Sequence, residues 1–410
     1  MNFTLRFLRG AASVVLLAVV VLAIFTAGAY VGIREPQALP DVLRERVIDA
    51  EGPSAVSEAF GIIREQYYEE PGQAELRDNA IDGMVEGLDD RFSTYFDPKA
   101  YAQFQQSQDN RFDGIGVVIN EDPKGLKVVR VYAKSPAKEA GIKADDVITA
   151  ADGVSLKGMS ATRASGKVRG PAGTKVKLQV ERRVDGKTTS RTIDTERRPV
   201  EVPIVASTLR TEGDEKVGVV RLAQFTNGAT LQVGQALARL EKRGAKRFVL
   251  DLRSNPGGLV NEAQGVASLF LEGGDVVTLK GRTIGEQSYP ATDKPVFPKQ
   301  PLVVVVNQGS ASASEIVTGA VQDRDRATVV GERTYGKGVF QRVVPLSSGG
   351  ALDITAGQYF TPKGRNLGGS GTTVGKGLQP DVKVKDDPDS GRDVVLERAV
   401  KVAAKAKAPR

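Results

Sequence analysis

The five residues Leu302-Val303-Val304-Val305-Val306 carry no polar side chain, so a strand built from them has to be covered on both faces. Phe248-Val249-Leu250-Asp251-Leu252 is nearly as apolar. Around these runs the pattern alternates between strand and helix. Strands are expected at 217–222, 248–252, 276–280, 302–306, 327–330 and 339–344, and helices at 230–243 (closed by Gly244) and 311–322. Alternation of this kind predicts an α/β core with both sheet faces covered, here over 198–385.

Upstream the texture changes. Between 111 and 197, short β-type runs (116–119, 126–131, 147–150, 175–181, 188–194) are separated by Gly and Pro and predict a compact β-rich module. Before it, Val56, Phe60, Ile63 and Tyr67 recur at helical spacing. A second helix is expected over 76–88, leading into Asp89-Asp90-Arg91-Phe92-Ser93-Thr94-Tyr95-Phe96. Together they suggest a linker and a small helical N-terminal subdomain over 34–110, and a tail helix is expected within 386–410.

Residues 11–31 form an almost unbroken apolar run without a charge, preceded by Arg6 and Arg9. About 20 residues of helix cross a hydrocarbon core of ~30 Å, and basic residues hold the short side in the cytoplasm. Ala27-Gly28-Ala29 allows a competing reading as a cleaved signal peptide, but the run exceeds the usual ~7–15 apolar residues of such a signal. The anchor, within 1–33, is the favoured reading. Either way the folded part is exported, to lie on the periplasmic or extracellular side.

Composition then removes much chemistry, because the chain has no cysteine, histidine or tryptophan. Thiol nucleophiles, zinc ribbons, Ser-His-Asp triads and HExxH sites are excluded. Acid–base work near neutral pH is left to a carboxylate, a tyrosine, or a lysine with a depressed pKa. The net charge of +7 does not imply a nucleic-acid partner, since the basic residues are interspersed with acidic ones and form no compact cluster with aromatics. The basic tail Lys401, Lys405, Lys407, Arg410 reads as a terminal helix.

After the strand 302–306 come Asn307-Gln308-Gly309-Ser310-Ala311-Ser312-Ala313-Ser314-Glu315-Ile316, small residues entering a helix where free N–H groups favour an anion. In isolation these serines could equally be caps. A second segment, Gly331-Glu332-Arg333-Thr334-Tyr335-Gly336-Lys337-Gly338-Val339-Phe340-Gln341, sets a lysine between glycines; alone, such a lysine is usually solvated. Taken with Asp251-Leu252-Arg253-Ser254-Asn255-Pro256-Gly257-Gly258-Leu259, these segments resemble the C-terminal processing (tail-specific) peptidases, and the resemblance runs over 55–384. It implies a crotonase-like α/β core, Ser312 as nucleophile, Lys337 as general base and Gln341 as the residue that orients it. It also implies oxyanion donors at the Ala313 amide and at a glycine of the Gly257-Gly258 pair. On an extended strand Lys337 and Gln341 share a face, but their Cα atoms would be about 13 Å apart, so long side chains must converge or Gly338 must bend the chain.

Within 111–197, Gly114-Ile115-Gly116-Val117, Ser135-Pro136-Ala137, Ala140-Gly141-Ile142 and Asp145-Asp146-Val147-Ile148 resemble a PDZ domain of the bacterial protease kind. That likeness implies strand addition of a peptide, with its terminal carboxylate on the amides of Gly114, Ile115, Gly116 and Val117; for Gly-x-Gly alone, a structural turn is the simpler reading. The chain departs from the family pattern at 368–377, where a surface loop is expected. The expected function is a serine endopeptidase that cleaves exported or membrane-associated proteins near their C-termini, with no metal or organic cofactor. A catalytically inactive membrane-anchored PDZ adaptor or chaperone is the alternative, and fold alone does not exclude an acyl-CoA enzyme. A homo-oligomer and a regulatory adaptor are both compatible with the sequence.

Overall fold

The computed structural model describes residues 51–184, 186–387 and 391–408, and the chain divides into two compact units between Gly83 and Met84. In the first, the helical spacing around Val56 and Ile63 becomes the helix Glu51–Gln66. Gly72 precedes a second helix, Gln73–Glu86. Among the described residues no helix is long and apolar enough to cross a membrane; the apolar run 11–31 lies outside the described residues.

In the second unit the apolar strands do what their composition demands. Among the described residues six strands form one sheet in the order Val205–Glu212, Glu215–Leu222, Arg247–Asp251, Leu302–Val306, Ala327–Gly331, Val382–Lys383. The first pair is antiparallel and every later pair is parallel. Alternate side chains face opposite layers, as a period of two requires. Phe248, Leu250, Val304 and Val306 pack with the helices Ala229–Lys242, Val260–Ser268 and Ala313–Asp323. Val249, Val303 and Val305 pack under Val395, Ala399, Val400 and Ala403 of the terminal helix Val394–Lys405. The expected double covering is thus met by one layer of several helices and one layer of a single helix. Arg253 locks that single helix in place with a fork onto Asp251 and Asp393, the latter also capping the helix at Leu396 N.

A second sheet is built around the ten-residue strand Ala351–Phe360, which pairs with Thr94–Phe96, Val339–Pro345 and Asp275–Gly281. The third carries the β-rich module: Val117–Asp122, Gly125–Val131, Val147–Ala151, Lys175–Val184 and Lys187–Glu196, around an apolar core that includes Ile115, Leu126, Ile148 and Leu178. Arg111–Gly114 pairs with Arg198–Glu201, so the chain enters and leaves the module side by side.

Leu250 is fully buried in the central strand, between neighbours on both sides. Leu250→Ala is expected to cost about 2–5 kcal/mol, because the parallel sheet cannot collapse into the space left behind. Chemical denaturation of the variant beside the parent checks this, and a change under about 1 kcal/mol contradicts the packing described.

Candidate active site

The strand Leu302–Val306 ends against a tight turn before the helix Ala313–Asp323, and Ser312 is the N-cap of that helix. Its backbone has φ 54° and ψ −113°, a region that residues with a Cβ avoid. Such strain survives only where the surroundings over-determine it. They do so here: Ala311 N and Ser314 Oγ both donate to Asn255 O, at 3.1 and 2.9 Å. The Ser310 hydroxyl, buried, donates to Leu252 O.

Those contacts lash the serine turn to the glycine turn beside it. Gly257 (φ 103°) comes so close that a Cβ there would lie 2.8 Å from Ser312 Cβ and 2.9 Å from Ala313 N. Its own N–H is taken by Asn255 Oδ1 at 2.9 Å, whereas the Gly258 and Ala313 N–H groups make no hydrogen bond among the described residues. Of the glycine pair, Gly258 is therefore the one with a free donor.

Lys337 reaches the site from another direction. The loop 332–338 precedes the strand Val339–Pro345, and the ladder of that strand shifts register between Phe340 and Gln341. Lys337 is thus not on the strand, and the ideal-strand separation from Gln341 does not apply. Lys337 Nζ donates to Gln341 Oε1 at 2.5 Å and lies 4.9 Å from the centroid of the Phe92 ring. Burial pushes its pKa below the ordinary lysine value, against the opposing pull of the Asp353, Asp90 and Glu315 carboxylates. No hydrogen bond joins Ser312 to the Lys337 side chain among the described residues.

What unites the two segments is Glu315, fully buried. Its Oε2 accepts from Ser312 N and from Lys337 N, both at 3.0 Å, so the two backbones meet on one oxygen atom. Its Oε1 accepts from Thr334 Oγ1 at 2.6 Å and from Gly336 N at 2.7 Å. Burial pushes this carboxyl up, and the four donors oppose that shift by favouring the ionised form.

The Gly/Thr-rich stretch 368–377 is more than the surface loop expected for it. Its tip is exposed, but Gly375 N donates to Gly336 O at 2.8 Å. A Cβ on Gly336 would meet Gly375 O at 2.6 Å, and one on Gly338 would meet Gly368 N at 2.4 Å. The glycines around Lys337 are there because glycine backbone packs against them.

In the β-rich module Gly116 has φ 82°, and a Cβ there would run into Ser135 at 2.3 Å. The carbonyls of Ile115 and Gly116 accept from Ala137 N and Tyr132 N. Beside this loop a groove of about 30 Å³ is lined by Phe112, Ile115, Val117, Leu126, Val168 and Arg169. The strand Val117–Asp122 is paired on one side only among the described residues, which leaves an edge for strand addition.

The model of peptidase family S41 matches residues 216–384, that of the PDZ domain 127–182, and that of the activating protease CtpB N-terminal domain 30–100. A carboxy-terminal-processing protease of Bartonella bacilliformis is 35% identical over 82% of this chain and 76% of its own length. A carboxyl-terminal-processing protease of Synechocystis is 36% identical over 75% of this chain and 72% of its own. The chain belongs to the carboxyl-terminal-processing proteases of peptidase family S41. A putative S41 protease of Bacteroides fragilis, 15% identical with a TM-score of 0.50 over 84% of this chain and 96% of its own, shares the fold.

As a member of this family the chain is a serine-type peptidase with a PDZ domain. A cavity of about 470 Å³ between Arg210 and the terminal helix shares no residue with the Ser312 and Lys337 segments. Sequence reasoning missed Glu315, Asn255 and Phe92 as parts of the site. Glu315 was visible only as a helix-start acid three residues after a serine, a pattern that ordinarily signals a capping box on the surface.

Because Glu315 is surrounded by donors alone, Glu315→Gln is expected to set an NH₂ against one of them. The loss should be about 1–3 kcal/mol of stability and at least tenfold in turnover. Thermal unfolding and peptide cleavage check both, and unchanged values in the two assays contradict the arrangement.

Proposed function

We propose that this chain is a Ser–Lys serine endopeptidase that cleaves exported or membrane-associated proteins near their C-termini through an acyl-enzyme on Ser312. The observation that carries the reading is the buried Glu315 carboxylate, which holds the strained Ser312 turn and the Lys337 loop on one oxygen. In this reading the core adopts the crotonase-like spiral over 198–385, with the PDZ domain at 111–197. A helical subdomain occupies 34–110 and the tail helix 386–410. The apolar run 11–31 after Arg6 and Arg9 supports a single-pass anchor with the catalytic part outside the cytoplasm.

The chemistry follows from the groups available. Neutral Lys337 takes the proton of the Ser312 hydroxyl as Oγ attacks the scissile carbonyl. The oxyanion falls to the unengaged N–H groups of Gly258 and Ala313, at a helix start where negative charge is favoured. As the tetrahedral intermediate collapses, the ammonium returns its proton to the departing amine, and the acyl group stays on Ser312. A water molecule then gives a proton to Lys337 and attacks the ester, which frees the new C-terminal carboxylate and restores the serine. Gln341 holds the lysine throughout.

Ser312→Ala and Lys337→Ala are each expected to abolish cleavage of an unfolded protein without unfolding the enzyme. The double variant should be hardly worse than either, since the pair acts as a unit. A lysine base also gives a rate that rises with pH. With its pKa pushed down by burial, the limb should lie below the ordinary lysine value of about 10.4. Near-parental turnover by Lys337→Ala, or a limb near 4 to 5 as for a carboxylate, would sink the mechanism. Loss of activity in these variants also separates the enzyme from an inactive adaptor.

Substrate choice is assigned to Gly114, Ile115, Gly116 and Val117 as the carboxylate loop, supported by the free edge of Val117–Asp122. Amidating the C-terminus of a peptide substrate removes charge-assisted hydrogen bonds worth about 1.5–3 kcal/mol each, so capture should weaken at least tenfold. Equal cleavage of free and amidated peptides refutes C-terminal capture as the selecting step.

A further inference from the structure

Gln341 has two chemically different ends of nearly the same shape, and which end faces Lys337 decides whether that lysine can act. If the oxygen faces it, the amine donates an N–H and keeps its lone pair for the serine proton. If the NH₂ faces it, the lone pair is occupied.

The far end of Gln341 shows how the choice is made. Thr355 stands directly opposite it in the ladder, and Gln341 Nε2 lies 3.0 Å from Thr355 Oγ1. The Thr355 hydroxyl also acts on Asp90, whose pKa it lowers. Asp90 Oδ2 also takes the Ser93 hydroxyl at 2.6 Å, and Oδ1 the Phe92 N–H at 3.0 Å. Ser93 Oγ accepts from Thr355 N at 3.0 Å. The segment is held in register by Thr94 opposite Asp353, Tyr95 opposite Leu352 and Phe96 opposite Ala351. Every partner of Asp90 is therefore a donor, as an ionised carboxylate requires. Burial alone would raise its pKa, but the Ser93 hydroxyl, the Thr355 hydroxyl, the Phe92 N–H and the charge of Lys337 outweigh this and lower it.

An ionised carboxylate can only accept. With the Thr355 proton drawn toward that carboxylate, the Thr355 oxygen is left to accept from Gln341 Nε2, and the amide oxygen is turned toward Lys337. We propose that Asp90, acting through Ser93 and Thr355, is a positioning carboxylate that fixes the Gln341 amide with its oxygen on Lys337. The proposal rests on Lys337 being the base.

The test measures kcat, KM and the pH dependence of kcat/KM for one peptide with the full chain and its Thr355→Val, Thr355→Ser, Asp90→Asn and Lys337→Ala variants. Thr355→Val keeps the shape and loses the hydroxyl; kcat should fall at least tenfold with KM little changed. Thr355→Ser should recover most of that loss. Asp90→Asn offers Thr355 an NH₂ as well as an oxygen and removes a charge, so kcat should fall. The charges facing Lys337 are Asp90, Asp353 and Glu315. With one of these carboxylates gone, the ammonium is less favoured and the rising limb should move to lower pH. A purely structural role would lower the folded fraction and leave kcat per folded molecule and the limb in place. The Val and Ser pair at 355 carries the test even where Asp90→Asn folds poorly. Parental kcat and limb in Thr355→Val and Asp90→Asn, beside an inactive Lys337→Ala, overturn the positioning chain alone. An active Lys337→Ala overturns the base and this proposal with it.

Discussion

A single desolvated carboxylate organises this molecule. Glu315 sits at the third position of a helix whose side chains are buried nearly all round, where an isolated anion is prohibitively costly. It is tolerated because four donors from two chain segments converge on it, with the Tyr359 hydroxyl at 3.3 Å from a third, and because the helix start favours negative charge. The two segments are the serine turn and the lysine loop. The energetic requirement of the buried charge and the geometric requirement of the chemistry are therefore met by the same bonds.

The lysine loop is fixed in a second way, by close backbone packing. Gly336 and Gly338 are packed against Gly375 and Gly368 closely enough that a Cβ on either would strike backbone. Backbone against backbone leaves little room for water, which serves the desolvation that depresses the Lys337 pKa. Thr334 joins the two modes: its hydroxyl donates to Glu315 and accepts from Leu378 N, just beyond the Gly/Thr-rich stretch.

Much of the fold was legible because its central strands are apolar on both faces. The run 302–306 leaves no alternative to a covered strand, and Leu302–Val306 is what forms. The strand Ala351–Phe360 escaped notice for the opposite reason: it is half-buried along most of its length and so shows no clean alternation. Yet it carries Thr355, Asp353 and the register that aligns Gln341. The serine, lysine and glycine segments were legible as a family pattern. Their supports were not, because Asp90, Glu315 and Asn255 act on residues up to 265 positions away, and no local period records such pairings. The regular-strand spacing assumed between Lys337 and Gln341 does not apply, because the chain has a loop and then a register shift there.

The lysine itself sits between opposed influences. Burial disfavours the ammonium, while Asp353, Asp90 and Glu315 favour it. Burial alone would leave a permanently neutral amine that could take a proton but would be slow to hold it as an ammonium while the tetrahedral intermediate forms. The carboxylates alone would keep a cation with no lone pair to offer. In the proposed mechanism a base that must accept a proton and then return it to the leaving amine works best with a pKa near the working pH; burial moves Lys337 down from the ordinary lysine value while the carboxylates oppose the shift. Asp353, whose own pKa is raised by burial with Lys337 opposing the shift, shows the same tension from the other side. In a chain without histidine, that balance is what the proposed mechanism asks of an amine.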